Sequence, residues 1–351
     1  MFYKKILLYF SFFTLVFSQD NIQFRSVIEK DILFTPYKEE GYLQGWNFYF
    51  LNSEHSIILT FVVSNLGPFD LNNGVSISID SIKMGEVFKT KEFAEKDLEA
   101  NKNQTNLKFY NNTLVKSGSI YKINQFYDDI KIYLEFYSDE KGVTLSGGNS
   151  SLSSDGKFVR ADIVTSFVKA KGYIDYKGEI IDLEGVGGME HLITNYEIYK
   201  FSSRWEILRA NNESYKIFSG GYYGKKKDTN DFFRTLVLLD NKGKILLSGK
   251  ILRSEVLQSS VESLSKYQVP DLEKIYLTEN CTVEIKRGKL IGRGNILANV
   301  SKLLRFFINL FFTNPYLVSY KNTIKVDCPE KLEKSIPSFN GIHTYYLINS
   351  K

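Results

Sequence analysis

The 351-residue chain carries 45 Lys and Arg against 40 Asp and Glu, a net charge of +5 that is too small to mark a nucleic-acid partner. Hydrophobic residues make up 43% and aromatics 15%, with 6 prolines, a balance that suits packed sheets and excludes Pro-rich disorder. With 3 histidines, 2 cysteines and no C-x-x-C pair, no metal site and no cofactor is expected.

Residues 1–18 read as a signal peptide. Lys4 and Lys5 precede the uncharged run Ile6 to Phe17, and Val16-Phe17-Ser18 offers a cleavage position. The run is short for a bilayer helix, which needs about 20 apolar residues. A secreted or periplasmic location is expected. Cleavage removes Lys4 and Lys5 and takes the charge from +5 to +3.

The chain that follows is dominated by a period of two. Gly45-Trp46-Asn47-Phe48-Tyr49-Phe50 opens the first strong strand. In the next, Ile57, Leu59, Phe61 and Val63 form one face, while Ile58 and Val62 predict cover on the other. Val75, Ile77 and Ile79 alternate with polar residues, as do Ile130, Ile132, Leu134 and Phe136. Lys91 to Asn101 reads as a short helix, and Ser146 to Lys157 as a surface loop. Tyr176-Lys177-Gly178-Glu179, Asp240-Asn241-Lys242-Gly243 and Lys286-Arg287-Gly288-Lys289 each read as a hairpin turn. Lys225-Lys226-Lys227 reads as a solvated loop. Ser301 to Phe312 has the apolar spacing of a short helix, with membrane-surface contact as its sharper alternative. The implied architecture is all-β, with two lipocalin-like antiparallel barrel lobes (residues 19–185 and 186–351) and that one helix in the C-terminal half.

Catalytic motifs built on G-x-S-x-G, H-E-x-x-H or a phosphate loop are missing. The segment Gly185-Val186-Gly187-Gly188-Met189-Glu190-His191 stands out. Glycines there permit close approach of backbone or ligand. Glu190 and His191 are adjacent, so in a strand they point to opposite faces. A half-buried imidazole near a carboxylate suits a general acid, and a structural histidine where two lobes meet is the plainer alternative. Trp46, Tyr49 and Trp205 are the aromatic candidates for ligand contact, with barrel-core packing as the alternative for the tryptophans. Export permits a disulfide, and Cys281 and Cys328 are expected to form one.

Trp46-Asn47-Phe48-Tyr49, then Gly187-Gly188-Met189-Glu190-His191, then Trp205 resemble the pattern of a lipocalin-like double-barrel family. That family includes hydroxyneurosporene synthase (carotenoid 1,2-hydratase), the AttH-like proteins and survival factor 1. The resemblance covers roughly residue 40 onward. It departs at Glu190, where Asp is usual, and at Leu192-Ile193, where Trp-Gly usually follows. It implies a pocket between the lobes, with His191 and Glu190 at the position where the hydratases act on an isoprenoid double bond. The expected function is binding of an apolar small molecule, a lipid or isoprenoid, at the lobe interface. The alternatives are a hydratase, isomerase or cyclase using His191 as general acid on a polyene, and a scaffold for surface protein interaction.

Overall fold

The computed structural model describes residues 24–65, 71–138, 142–145, 148–224, 232–295, 315–332 and 335–348. The expected signal segment 1–18, the helix Ser301 to Phe312 and the loop Lys225-Lys226-Lys227 lie outside the described residues.

The described chain is all-β and forms two antiparallel sheets. From edge to edge the first runs Gly85–Phe93, Asn72–Ser81, His55–Ser64, Tyr42–Leu51, Glu179–Asn195, Phe158–Tyr176, Ile130–Tyr137, Ile120–Phe126, Asn112–Ser117, Asn106–Phe109 and Leu98–Ala100. It curls into a near-barrel, the N-lobe. The second runs Ile245–Lys250, Phe232–Asp240, Tyr215–Tyr223, Arg204–Asn211, Phe339–Leu347, Tyr316–Asp327, Cys281–Asn295, Gln268–Thr278 and Arg253–Val261. It forms a half-barrel, the C-lobe. The first sheet's strand Glu179–Asn195 contains position 185/186, and the second sheet begins at Arg204.

Alternation sets which side chains fill each lobe. In Ile130–Tyr137 every second residue is buried, starting at Ile130, and Ile132, Leu134 and Phe136 join Trp46, Phe48 and Phe50 in the N-lobe core. The outward face of the N-lobe strands packs on the C-lobe. Ile58 is accordingly buried although it faces away from the barrel interior. Apolar clusters fill this junction: Val143, Leu145, Ile163, Phe218 and Val237 in one place, and Val159, Trp205, Ile207 and Ile348 in another.

Three local expectations meet different outcomes. Lys177 and Gly178 both take positive φ, 54° and 89°, and close the hairpin between the two longest strands. Lys286-Arg287-Gly288-Lys289 is instead a bulge inside the continuous strand Cys281–Asn295. A side chain at Gly288 would come within 2.7 Å of the Lys321 carbonyl, so this glycine serves close strand approach rather than a reversal. Lys91 to Asn101 is not a helix. It ends the strand Gly85–Phe93, makes one 3-10 turn at Glu95–Asp97, and starts Leu98–Ala100. Strand pairing with Asn73–Ser81 outweighs its helix-favouring composition. Cys281 and Cys328 form a disulfide at one end of the C-lobe core. Among the described residues no helix is long and apolar enough to cross a membrane.

Candidate functional site

Each lobe encloses a polar centre, and a third joins them. Within the N-lobe, His191 faces inward with Met189 and Ile193, and its ring lies 5.6 Å from that of Trp46. Its Nδ1 is 3.0 Å from Asp162 Oδ2 and its Nε2 is 2.8 Å from the Gln44 amide nitrogen. Gln44 Oε1 already accepts from the Thr35 backbone N–H and from the Tyr42 hydroxyl. The Gln44 amide nitrogen therefore donates to Nε2, which places the imidazole proton on Nδ1, facing Asp162. Burial holds the imidazole pKa below its ordinary value, against the pull of Asp162. Both ring nitrogens are used. Trp46 is also committed, its Nε1 donating to the Ile32 carbonyl at 2.8 Å.

Glu190 points the opposite way, into the lobe junction, as strand geometry requires. There it meets Arg209, whose Nε donates to Oε1 and whose Nη2 donates to Oε2 at 2.7 Å. Arg209 Nη1 reaches Thr344 at 3.2 Å, and its guanidinium lies 4.9 Å from the Tyr49 ring centre. Tyr49 is itself held by the glycines beside it. A side chain at Gly188 would meet the Thr165 carbonyl at 2.4 Å and the Tyr49 ring at 2.8 Å. Trp205 lies elsewhere in the junction, stacked on Tyr222 at 5.7 Å. The structure thus brings Glu190 and Tyr49 together at Arg209, and puts His191 and Trp46 on the other side of the same sheet.

The C-lobe interior is layered. Along Phe339–Leu347 the inward residues pass from Phe339, in the apolar core by the disulfide, through His343 to Tyr345 and Leu347. The neighbouring strands repeat the order, with Leu208 followed by Glu206 and Arg204, Leu236 by Arg234, and Ile275 by Glu273. The result is a buried charged layer between an aliphatic core and an aromatic group of Tyr316, Tyr320 and Tyr345.

Glu206 is the hub of this layer. Its carboxylate lies 2.7 Å from Arg204 Nη2, 3.0 Å from Arg234 Nη2 and 3.2 Å from His343 Nε2. Burial alone would raise its pKa, but Arg204 and Arg234 outweigh that and keep the group ionised well below the usual carboxylate range. Glu273 follows the same pattern: burial pushes it up, and Arg234, whose Nη1 donates to Oε1 at 2.7 Å, brings it below its ordinary value. Tyr223, which accepts from Arg234 at 2.5 Å, is pushed up to about 12 by burial.

An ionised carboxylate that receives Nε2–H leaves the other imidazole nitrogen as an acceptor. Among the described residues, His343 Nδ1 has no hydrogen-bond partner, although the residue is fully buried. The His343 ring lies 4.1 Å from that of Tyr345, at the boundary between the charged and aromatic layers. Chemically this is an oriented base beside an apolar wall. Sequence reasoning missed this layer. Its signal is phase: Arg204, Glu206, Arg234, Glu273 and His343 each fall on the buried face of an alternating strand, where a charge is out of place. Among the described residues no group of His, Cys, Asp and Glu has the arrangement of a metal site.

The sequence matches no family model and no curated protein. Solved structures do match. A Nitrosomonas europaea protein assigned to AttH superposes with a TM-score of 0.59 at 10% identity, over 87% of this chain and 92% of that one. Kievitone hydratase from Nectria haematococca gives 0.56 at 10% identity, over 89% and 90%. CghA, solved with Sch210972, gives 0.60 at 10% identity, over 93% and 99%. The chain has their fold. The match spans both lobes and nearly the full length of each structure, so the pairing of a near-barrel with a half-barrel is common to all of them.

Proposed function

We propose that this protein is an exported enzyme of the hydratase, isomerase or cyclase class, acting by proton transfer on an apolar unsaturated small molecule in the C-lobe. The observation that carries the reading is His343. Its Nε2 meets an ionised Glu206, its Nδ1 has no hydrogen-bond partner among the described residues, and its ring lies against Tyr345, one of the tyrosines that would receive an apolar substrate. Two of the structures sharing this fold are a hydratase and a protein solved with an organic compound, which supports small-molecule chemistry over scaffolding. The disulfide and the leading Lys4-Lys5 apolar segment support export.

On this reading His191 and Glu190 have structural duties. His191 ties the strands around Trp46 to Asp162, and Glu190 joins the lobes. The test is deuterium incorporation from heavy water into a panel of isoprenoid polyenes, followed by mass spectrometry. His343→Ala should lower incorporation by about 10²–10⁴-fold, the range for loss of a general acid–base group. Incorporation unchanged in His343→Ala would remove the proposal. Polyene binding by wild type with no incorporation at all would leave a carrier.

A further inference from the structure

Resting on the export proposed above, we infer that Asn111 is a site of N-linked glycosylation and that its first sugar covers the ring of Tyr110.

The N-x-S/T motif, the acceptor for N-linked sugars, occurs at Asn103, Asn111, Asn149, Asn212 and Asn280, and again at Asn299, which lies outside the described residues. The five described motif asparagines all fall between strands. Most of the other described asparagines do the opposite, and Asn47, Asn73, Asn124, Asn195 and Asn322 all lie within strands. A connecting segment at the surface takes an added sugar without breaking strand pairing or needing interior space. Two of the five amides are engaged by the fold. Asn212 Nδ2 donates to the Pro337 carbonyl at 3.0 Å, and Asn280 Nδ2 donates to Glu330.

Asn111 is set apart by the residue before it. Tyr110 and Asn111 form the two-residue turn between Asn106–Phe109 and Asn112–Ser117, closed by the pairing of Phe109 with Asn112. Both are exposed, Tyr110 at 60%. Tyr110 also takes φ 57°, an uncommon conformation for a bulky side chain and one that turns usually give to Gly, Asn or Asp. Neither core packing nor turn preference accounts for an aromatic there. A sugar on the neighbouring amide does, because the C–H face of a pyranose keeps water off an aromatic ring. The co-reactant is an oligosaccharide carried on a lipid diphosphate. Its anomeric carbon forms a bond to Asn111 Nδ2, the sugar–phosphate bond breaks, and the lipid diphosphate departs as the amide gives up one proton.

Translation of the full chain in the presence of endoplasmic-reticulum microsomes tests this. Protease protection reports entry into the vesicles, and peptide mapping by mass spectrometry reports the sugar. The protected chain should carry it at Asn111. It should be lost in Thr113→Ala and kept in Thr113→Ser, because the motif needs a hydroxyl at that position. The mark is added as the chain enters the vesicle, so no variant has to fold. A protected chain bare at Asn111 overturns the inference and leaves export standing, whereas a chain neither protected nor modified overturns both. On the folded, modified protein, enzymatic removal of the sugar should speed iodination of Tyr110 several-fold. An unchanged rate would overturn the contact with the ring.

Discussion

Glu190 and Arg209 meet fork to fork across the lobe junction, each carboxylate oxygen receiving a different guanidinium nitrogen, with both side chains buried. Breaking such a pair leaves one charge stranded, which typically costs 3–5 kcal/mol, whereas replacing both partners by apolar residues is often neutral. Glu190→Met and Arg209→Met should each destabilise by about 3–5 kcal/mol. The double Met variant should recover most of that loss. Urea denaturation of the four proteins measures it. Additive single losses in the double variant would show that the pair is not the unit that joins the lobes.

His191 gives the fold a pH dependence. Burial depresses its pKa below the ordinary 6.5, so at pH values under 6.5 the unfolded chain binds a proton that the folded chain refuses. Stability from this group is complete above that value and is lost as pH falls toward the folded pKa. Wild type should therefore lose stability between pH 7 and pH 5 more steeply than His191→Gln. The acids Glu206 and Glu273 have the same sign but act lower, below the ordinary 4.5, and are common to both proteins. Parallel stability curves for the two proteins over this range would contradict the neutral, doubly bonded imidazole.

Gly188 and Tyr49 form a packed couple in the junction. An added Cβ would press on the Thr165 carbonyl and the Tyr49 ring together, and backbone gives way less readily than a side-chain tip. Gly188→Ala should cost about 1–3 kcal/mol, the range for overpacking. Gly178→Ala, in the exposed hairpin turn at φ 89° with open space around it, should also destabilise, but through its backbone angle alone. Adding Tyr49→Leu should relieve part of the Gly188→Ala cost and none of the Gly178→Ala cost. Thermal midpoints of the four variants separate the two mechanisms.

The disposition of these residues explains how much of the fold was readable in the sequence. The strands around Ile130 to Phe136 and Val75 to Ile79 were legible because one buried face imposes a period of two. The opposite orientations of Glu190 and His191 followed from the same rule. Gly288 was misread because a glycine between two short apolar runs has one sequence signature for a turn and for a bulge. Only the partner strand, with its Lys321 carbonyl, distinguishes them. The charged layer of the C-lobe escaped notice for a different reason. Glu206, Arg234, Glu273 and His343 come from strands scattered over some 140 positions, and no local spacing joins them. Compensation between them arises only once the strands are paired into the half-barrel, so no single position shows it.

Glu206 should control what His343 can do. As an ionised acceptor it receives the Nε2–H and leaves Nδ1 as the acceptor nitrogen. Glu206→Gln replaces an obligate acceptor with a group that can also donate. The amide can then turn its N–H toward Nε2, move the imidazole proton to Nδ1 and convert the base into a donor. Deuterium incorporation should fall by about 10²-fold or more, with a changed pH–rate profile, as expected when an orienting carboxylate is lost. The substitution also leaves Arg204 and Arg234 under-neutralised, so its thermal midpoint should drop and the assay belongs well below it. Glu206→Asp keeps the charge and should restore most of the pH profile even with a lower rate. A Glu206→Gln enzyme with the wild-type rate and profile would show that His343 does not depend on this carboxylate and that the reacting proton moves elsewhere.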